Sequence, residues 1–473
     1  MKPHFLYLLL FTGLVFSCGK TTEVTIVESA GDVLPGEKTG SKENKTIVQD
    51  DFTKLTIGEA NEIQTMDPLF AMSTSELRVN ALIYDRITEL DDDGVAAPSV
   101  AKKWTVSRDS LRYTFTIRDN IFFHKDSRFT SGIGRQLIPK DIVSTFERMA
   151  SNFVPDNAAN LFQNIKGFQS YHSEQTFIKN PANRTIKSIE GISVENDSTI
   201  VFLLASKDSN FLEKLAHPLA SIYPKESLLA NRNPIYEPIG TGKFYLAQRK
   251  RNTLILASND DYFKTLTLPT RVDIMHGIKE GDLFQDFAKG DLDVIIEISP
   301  ETVSQVTDTS GNIDSIYSSV FQLIDTEVTN QINLYYNEAS NEQAIFSEVA
   351  NHRNFLNFEK PLGSLSSKNN LVNSDTLANT TIYIAFTQNP SEVFLVNKTA
   401  EKLSTLGINV VMNSSYAVTD EVTFSTSNFS SATPALTWNY PVYILSKMNI
   451  SGIKINAQAW NISFDGVNIS SGQ

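Results

Sequence analysis

Hydrophobic residues recur along this chain at two periods, and each period predicts one type of secondary structure. In "KLTIGEANEIQTMDPLF", Leu55 and Ile57 alternate with polar residues, which predicts a strand. The same alternation predicts a half-buried strand in "RYTFTIRDNIFF", through Tyr113, Phe115 and Ile117. Helical spacing replaces it in "SELRVNALIYDRITEL" and in "IPKDIVSTFERMASNF", whose helix is expected to begin at Pro139.

Two segments pass from a predicted helix into a predicted strand through a glycine. We expect the helix in "EGDLFQDFAKGDLDVIIEI" to end at Gly290 and the helix in "NKTAEKLSTLGINVVM" to end at Gly407. Glycine readily adopts the left-handed conformation that follows many helices. Strands and helices interleave along the chain, so the pattern favours an α/β or α+β architecture.

The N-terminus carries an apolar run from Phe5 to Phe16, preceded by Lys2. The run is shorter than the ~20 apolar residues of a membrane-spanning helix and is typical of a secretory signal. Cys18, the only cysteine of the 473 residues, follows in "LVFSC", which resembles the lipobox of bacterial lipoproteins. This resemblance implies a signal peptide over 1–17 and a lipid on the sulfur of Cys18. The alternative is a cysteine that happens to lie in a cleaved leader.

The composition predicts a tether after the signal peptide, and the composition and charge exclude several kinds of partner and bond. Residues 18–51 are predicted to form a flexible tether, because Gly, Ser, Thr, Lys and Glu follow one another without a period. With the thiol lipidated, disulfides and cysteine-ligated metals are excluded. The net charge is −13 and Lys and Arg form no stripe, which argues against nucleic acid. No second segment is apolar for ~18 residues, so we expect no further membrane span.

Motifs of catalysis or of metal binding are not found in the sequence. "PIGTGKFYL" contains Gly240 and Gly242 but has Phe244 where a P-loop needs a hydroxyl residue, so we interpret it as a tight turn before a strand. His124 could act as a general base, but no nucleophile neighbours it, and a histidine hydrogen-bonded near a strand end is the interpretation that we favour. The six histidines show no metal-ligand spacing. We predict no enzymatic activity, no cofactor and no metal site.

The most specific motifs lie between Gly94 and Met149. They read "GVAAPSVAKKWTVSRDSLRYTFTIRDNIFFHKDSRFT", then an insert "SGIGRQLI", then "PKDIVSTFERM". In this order they resemble the signature region of the extracellular solute-binding proteins of family 5, the peptide-, dipeptide- and nickel-binding components of ABC importers. The resemblance extends from about Leu55 to Ile298. It is weaker beyond Ile298 and becomes clear again at "TAEKLSTLGINVVM".

The family resemblance implies an α/β fold of the type II periplasmic-binding-protein kind, with two lobes, a hinge and an extra subdomain in the first lobe. One crossing between the lobes is predicted between "RNTLILASNDDYF" and "RVDIM". The implied organisation is a first lobe over 52–263 with an inserted subdomain over about 86–194, a second lobe over 264–430, and a return to the first lobe over 431–473.

The candidate ligand contacts lie in "ALTWNYPVYIL" near the C-terminus. This segment is similar to the "A-D-Y-P-D-P" stretch of the family, whose first aspartate grips the α-ammonium group of a bound peptide. The resemblance assigns ligand binding to Trp438, Asn439 and Tyr440, with Asn439 in the place of that aspartate and Val442 in the place of the second acidic residue. The alternative is that Asn439 only fixes a turn before Pro441.

The resemblance implies an extracytoplasmic protein, lipid-anchored to a bacterial membrane on the periplasmic side or at the cell surface. Such a protein would be a monomer that captures a small solute or peptide and delivers it to the permease subunits of an ABC importer. An alternative is a surface lipoprotein of the same fold that acts as an interaction or peptide-chaperoning module without transport. A lipid-anchored hydrolase would require a nucleophile or metal constellation that the sequence does not contain.

Overall fold

The computed structural model describes residues 53–228, 235–308, 312–336, 364–367, 381–386, 390–405, 409–413, 424–425 and 434–470. These ranges belong to a single compact unit, Asp51–Gln473. The predicted signal peptide over 1–17, the lipidation site Cys18, the tether over 18–51 and the helix-ending Gly407 lie outside the described residues.

The strands are numbered in chain order. They are β1 (Lys54–Glu59), β2 (Thr88–Leu90), β3 (Ala96–Pro98), β4 (Ala101–Val106), β5 (Arg112–Ile117), β6 (Ile192–Asn196), β7 (Thr199–Leu203), β8 (Phe244–Lys250), β9 (Thr253–Ser258), β10 (Arg271–His276), β11 (Val294–Ile296), β12 (Phe321–Tyr336), β13 (Ser364–Ser367), β14 (Thr381–Ala385), β15 (Asn409–Asn413), β16 (Phe424–Ser425), β17 (Pro434–Lys447), β18 (Ile450–Ser451), β19 (Lys454–Ile455), β20 (Ile462–Ser463) and β21 (Asn468–Ile469).

The helices alternate with these strands over much of the chain. They are α1 (Thr74–Ile83), α2 (Pro139–Met149), α3 (Asp156–Phe162), α4 (Phe168–Phe177), α5 (Phe211–Leu215), α6 (Glu280–Lys289), α7 (Pro300–Val306) and α8 (Pro390–Thr405). Short 3-10 helices occur at Pro68–Phe70, Pro181–Asn183, Pro218–Ala220 and Lys225–Ser227. The fold is therefore mixed α/β, as the interleaved pattern predicts.

A large twisted sheet carries most of the described strands, in the order β15-β14-β16-β12-β17-β11-β1-β10-β9-β8, with β13 beside β17. Strand β1 runs parallel to both β10 and β11, whereas β12 and β17 pair antiparallel over most of their length. The predicted crossing between lobes, residues 264–270, lies in the connection from β9 to β10, which are antiparallel neighbours in this sheet. The predicted lobe and subdomain boundaries stay predictions.

A second sheet has the strand order β4-β5-β7-β6. Tyr113, Phe115 and Ile117 on β5 are buried and alternate with more exposed residues, which confirms the predicted half-buried strand. Helix α2 begins at Pro139 as predicted and buries Ile142 and Phe146. These side chains belong to the same hydrophobic core as Leu55 and Ile57 of β1.

Helix ends follow the local sequence signals. Helix α6 ends where Gly290 takes a φ of 93°, the left-handed conformation predicted for this glycine, before the short strand β11. Helix α1 begins with a capping box, in which the Ser73 side chain accepts from the Glu76 N–H and the Glu76 carboxylate accepts from the Ser73 N–H. This box satisfies backbone N–H groups at the start of α1, and Ser75 and Arg78 of the same helix bind Glu59 at the end of β1.

Candidate functional site

The carboxyl ends of parallel strands meet at one edge of the large sheet, where α/β proteins commonly bind their ligands. Glu59 is the last residue of β1, and Glu297 directly follows β11, its parallel neighbour. Glu297 has a φ of 58°, a left-handed conformation that non-glycine residues seldom adopt. The strand ends therefore bring two acidic residues from distant parts of the chain to one place.

Arg78 on α1 joins the two carboxylates. Its Nη1 donates to Oε1 of Glu59, and its Nη2 donates to Oε2 of Glu297 at 3.0 Å. The same guanidinium group donates to the carbonyl oxygen of Ala459 through Nε at 3.3 Å and Nη2 at 2.9 Å. The side chains of Arg78, Glu59 and Glu297 are only 2%, 3% and 4% exposed. We call these three residues the buried ion cluster.

The buried ion cluster contains two acidic groups and one cation, so its charge balance depends on protonation. Burial raises the pKa of the Glu59 carboxyl group, while the charge of Arg78 and a hydrogen bond from Ser75 oppose that shift. The hydroxyl group of Ser75 donates to Oε2 of Glu59 at 2.7 Å. Buried charges are tolerated when partners satisfy them, and every carboxylate oxygen here receives a donor.

Tyr440 on β17 completes this arrangement, because its hydroxyl group donates to Oε1 of Glu297 at 3.2 Å. The rings of Trp438 and Tyr440 stack with centroids 4.5 Å apart, and Phe394 of α8 lies 5.6 Å from Trp438. Trp438 and Tyr440 are 0% and 1% exposed. Two of the three predicted ligand contacts thus lie in a buried aromatic layer that continues into the buried ion cluster.

Asn439, the third predicted contact, is placed differently. Successive side chains of a strand point to opposite faces, so Asn439 lies on the face of β17 opposite Trp438 and Tyr440. It is half-buried and pairs in register with Gln331 of β12 and Ser364 of β13. Residues 434–447 form one strand, so Asn439 does not occupy a turn before Pro441. A direct role of the three residues in ligand binding stays a prediction.

The loop between β1 and α1 is fixed by Glu76. Its carboxylate accepts from the backbone N–H groups of Gln64, Thr65, Met72 and Ser73 at 2.8–3.3 Å. A second constraint comes from His276 at the end of β10, whose Nδ1 accepts from the N–H of Ile63 at 3.2 Å. The loop between β1 and α1, which lies beside the buried ion cluster, is therefore hydrogen-bonded to α1 through Glu76 and to the end of β10 through His276.

The glycine turn in "PIGTGKFYL" packs against the last turn of α1. The N–H of Gly242 donates to the carbonyl oxygen of Ile83 at 2.9 Å. His124 bridges the turn, since Nδ1 accepts from the N–H of Gly240 at 3.3 Å and Nε2 donates to the carbonyl oxygen of Gly242 at 3.0 Å. Burial lowers the pKa of His124 to about 4. This neutral histidine is structural, as favoured from the sequence, and the segment is a turn before strand β8, as predicted.

Sequence reasoning missed Glu59, Arg78 and Glu297. The sequence placed Arg78 on a predicted helix, but only the structure shows that most of this helix, Arg78 included, is buried. A buried arginine requires acidic partners, but the sequence offers 54 Asp and Glu residues from which to choose. Only the parallel pairing of β1 with β11 identifies the two that meet it.

Within the described ranges, no group of three or more His, Cys, Asp or Glu side chains is arranged to hold a metal ion. In the same part of the chain, no helix is both long enough and apolar enough to cross a bilayer.

The family model for bacterial extracellular solute-binding proteins, family 5 Middle, matches residues 96–351. This match covers more than half of the chain, and the chain belongs to that family. The family consists of solute-binding proteins rather than enzymes, which confirms the prediction that the chain is not an enzyme.

The chain is similar to several individual proteins. It is 27% identical over 201 residues to a probable di/tripeptide-binding protein 5 of Pseudomonas aeruginosa, covering 41% of this chain and 35% of that protein. It is 29% identical over 194 residues to heme-binding protein A of Haemophilus influenzae, covering 39% of this chain and 32% of that protein. The matched stretch thus spans about a third of the length of these relatives.

The fold is similar to that of Listeria monocytogenes OppA bound to peptide, with a TM-score of 0.68. The two share 12% sequence identity, and the match covers 89% of this chain and 100% of the other. The predicted fold class, that of the periplasmic binding proteins, is confirmed by this likeness.

Proposed function

We propose that this protein binds a peptide outside the cytoplasm and delivers it to an ABC importer, without chemical change to the peptide. Membership of the family 5 solute-binding proteins carries this proposal. The di/tripeptide-binding relative and the peptide-bound structure of similar fold favour peptide over other solutes. The heme-binding relative makes a non-peptide ligand the principal alternative outcome.

The arrangement around Tyr440 supports a binding role for this region. Its hydroxyl group is fixed on Glu297, and its ring stacks on Trp438, so both side chains are held in one orientation. Fixed aromatic side chains provide contact area at a small cost in conformational entropy. We propose that the ligand is recognised at this part of β17, either beside the aromatic layer on one face or through Asn439 on the other.

We also propose that Cys18 carries a lipid that holds the protein at a bacterial membrane. The sequence "LVFSC" supports this, together with a family whose members act outside the cytoplasm. The transporter would then receive ligand from a protein confined near the membrane surface.

The proposed function is tested by mass spectrometry of ligands released from the purified protein on denaturation. Short peptides should be released from the wild type and be depleted from a Trp438→Ala variant. Tyr236→Ala is the matched control, because Tyr236 is 69% exposed and its ring lies against the guanidinium group of Arg249. Release of heme, or of no solute, together with calorimetry that detects no peptide binding, would reject peptide as the ligand.

A further inference from the structure

Strand β8 lies at one end of the large sheet, and among the described strands it pairs with β9 alone. Its other edge therefore presents backbone N–H and C=O groups that no described strand satisfies. Ala247 forms a β-bulge, because it has no partner in the register of β8 with β9. Bulges are frequent at sheet edges and beside functional sites. The free edge of β8 can thus pair with a further extended segment.

A cavity of about 670 Å³ lies against β8, and we call it the β8 groove. Its wall includes five consecutive residues of the strand, from Leu246 to Lys250, and Arg251 in the turn that follows. Successive side chains of a strand point to opposite faces, so a cavity that touches all five lies beside the edge of the strand rather than on one face. Open space and unpaired backbone groups are therefore present at the same place.

Three successive cations, Arg249, Lys250 and Arg251, belong to the wall of the β8 groove, although the chain as a whole has a net charge of −13. All three residues are exposed. In the part of the chain that the structure describes, none of them forms an ion pair with a carboxylate. Arg249 is held in place, because its Nη2 donates to the carbonyl oxygen of Gln64 at 3.1 Å. The β8 groove therefore presents a local excess of positive charge.

The acidic side chains of the same wall are fewer than the cationic ones. Asp126 accepts from Nε of Arg128 at 2.7 Å and from Nη2 at 2.8 Å, so these two charges offset each other. Arg128 also donates to the carbonyl oxygen of Glu237 at 3.1 Å. Glu237 is the other acidic residue of the wall, which thus has four cationic and two acidic side chains. An anionic occupant would complete the charge balance of the β8 groove.

We propose that an extended acidic segment of a partner protein adds as a further strand to the free edge of β8. Its backbone would pair with β8, and its acidic side chains would lie against Lys250 and Arg251. A second copy of this chain is a poor occupant, because it would bring the same cations to the contact. An anionic lipid surface offers charge but no backbone that could pair with β8. Trp438, Asn439 and Tyr440 are not part of this wall, so the β8 groove is distinct from the predicted ligand contacts.

An octapeptide of alternating glutamate and threonine, blocked at both ends, is the probe, because it combines an acidic face with a backbone that favours strands. Fluorescence anisotropy of a labelled copy should show saturable binding to the wild type, and the binding should weaken as salt is added. Hydrogen exchange measured by mass spectrometry should slow over residues 244–250 when the octapeptide is bound. Lys250→Glu and Arg251→Glu should each weaken binding at least about fivefold, because repulsion replaces attraction.

Lys103→Glu is the matched control, because Lys103 is exposed on β4, which ends the second sheet, and is not part of the β8 groove. This variant should bind the octapeptide as the wild type does. An equal loss of affinity in Lys103→Glu and Lys250→Glu would overturn the proposal, as would the absence of octapeptide binding to the wild type.

Two altered octapeptides separate charge from backbone pairing. Glutamine in place of glutamate removes the charge, and proline in place of threonine removes half of the N–H donors. Both should bind more weakly than the original, and equal binding of either would overturn strand addition by an acidic segment. Displacement of the probe by inorganic phosphate as efficiently as by unlabelled octapeptide would overturn the assignment to a peptide segment.

The β8 groove is also tested for independence of the ligand site. Lys250→Glu should release the same solutes on denaturation as the wild type does, while its binding of the octapeptide is weakened. Loss of those solutes from Lys250→Glu would place the β8 groove within the ligand site and overturn its assignment to a partner protein.

Discussion

The hydroxyl group of Tyr440 donates to Oε1 of Glu297 across 3.2 Å, although the two residues are 143 positions apart in the chain. Glu297 in turn accepts from Arg78, which also binds Glu59 at the end of β1. The strand that carries the predicted ligand contacts is therefore bonded to the carboxyl ends of the parallel strands. Changes in this cluster should affect both stability and the orientation of Tyr440.

We expect Arg78→Met to lower the free energy of unfolding by about 3–5 kcal/mol, because it leaves two buried carboxylates without their cation. Urea unfolding at neutral pH measures this loss. Arg112→Met is the matched control, since Arg112 pairs with Glu195 and the two side chains are 45% and 44% exposed. An exposed pair of this kind contributes about 0–1 kcal/mol. Similar losses in the two variants would contradict the role assigned to the buried ion cluster.

The glycine turn gives a second prediction. A Cβ atom on Gly240 would lie 1.9 Å from the carbonyl oxygen of Ile83, and neither backbone can move without disturbing the end of α1. We expect Gly240→Ala to destabilise the protein by at least about 3 kcal/mol, as measured by thermal or urea unfolding.

Gly281→Ala is the control for the glycine turn. Gly281 lies in α6, and a Cβ atom there would meet nothing within 4 Å. Alanine is favoured over glycine in helices, so stability should stay unchanged or rise by up to about 1 kcal/mol. If both alanine variants retain wild-type stability, the turn tolerates a side chain and our account of its close packing is wrong.

Sequence patterns predicted the local elements of this fold well, and contacts between distant segments poorly. The signals for a helix start at Pro139 and a helix end at Gly290 lie in a few neighbouring residues. Helix α2 therefore begins, and helix α6 ends, where the sequence predicts. The pairing of β12 with β17 joins residues 99 to 126 positions apart, and no short pattern encodes it. The buried ion cluster depends on such pairings, which is why Glu59 and Glu297 could not be assigned to each other.

A third prediction concerns pH. Burial lowers the pKa of His124 from 6.5 to about 4, against a hydrogen bond to Gly242 that acts in the opposite direction. Below pH 6.5 the unfolded chain takes up a proton that the folded chain accepts only near pH 4, so acid favours unfolding in this window. The stability lost to His124 amounts to about 3 kcal/mol at most.

Urea unfolding at several values between pH 7 and pH 4 measures this dependence. His124→Gln removes the titrating group, and stability should then fall less steeply as the pH is lowered. Part of the dependence of stability on pH should remain in the variant, because His217 titrates in the same range. Burial and the charge of Arg86 lower the pKa of His217 to about 4 as well. Identical slopes for wild type and variant would show that His124 does not titrate as inferred.

The lipid anchor is tested through Cys18. We expect Cys18→Ser to release the protein from the membrane fraction or to leave it as an unprocessed precursor, without loss of folding. Lipid chains hold a protein at a membrane because each buried CH₂ group contributes ~0.8 kcal/mol. Fractionation measures the release, and mass spectrometry of the wild type detects the lipid. Normal cleavage with unchanged membrane retention, and no lipid on the wild type, would rule the anchor out.

The last prediction concerns Asn439, which stands where the resembling stretch of peptide binders has an aspartate. A carboxylate that faces an ammonium group makes a charge-assisted hydrogen bond worth ~1.5–3 kcal/mol, compared with ~1 kcal/mol for a neutral one. We therefore expect the wild type to hold peptides with a free α-amino group no better than N-acetylated ones. Asn439→Asp should improve binding of the free-amine peptide roughly ten- to thirtyfold relative to its acetylated partner. Calorimetry with the paired peptides measures this ratio, and Asn196→Asp, which adds the same charge at an exposed position on β6, should leave it unchanged. A ratio that Asn439→Asp also leaves unchanged means that this face of β17 does not meet the amino terminus of the ligand.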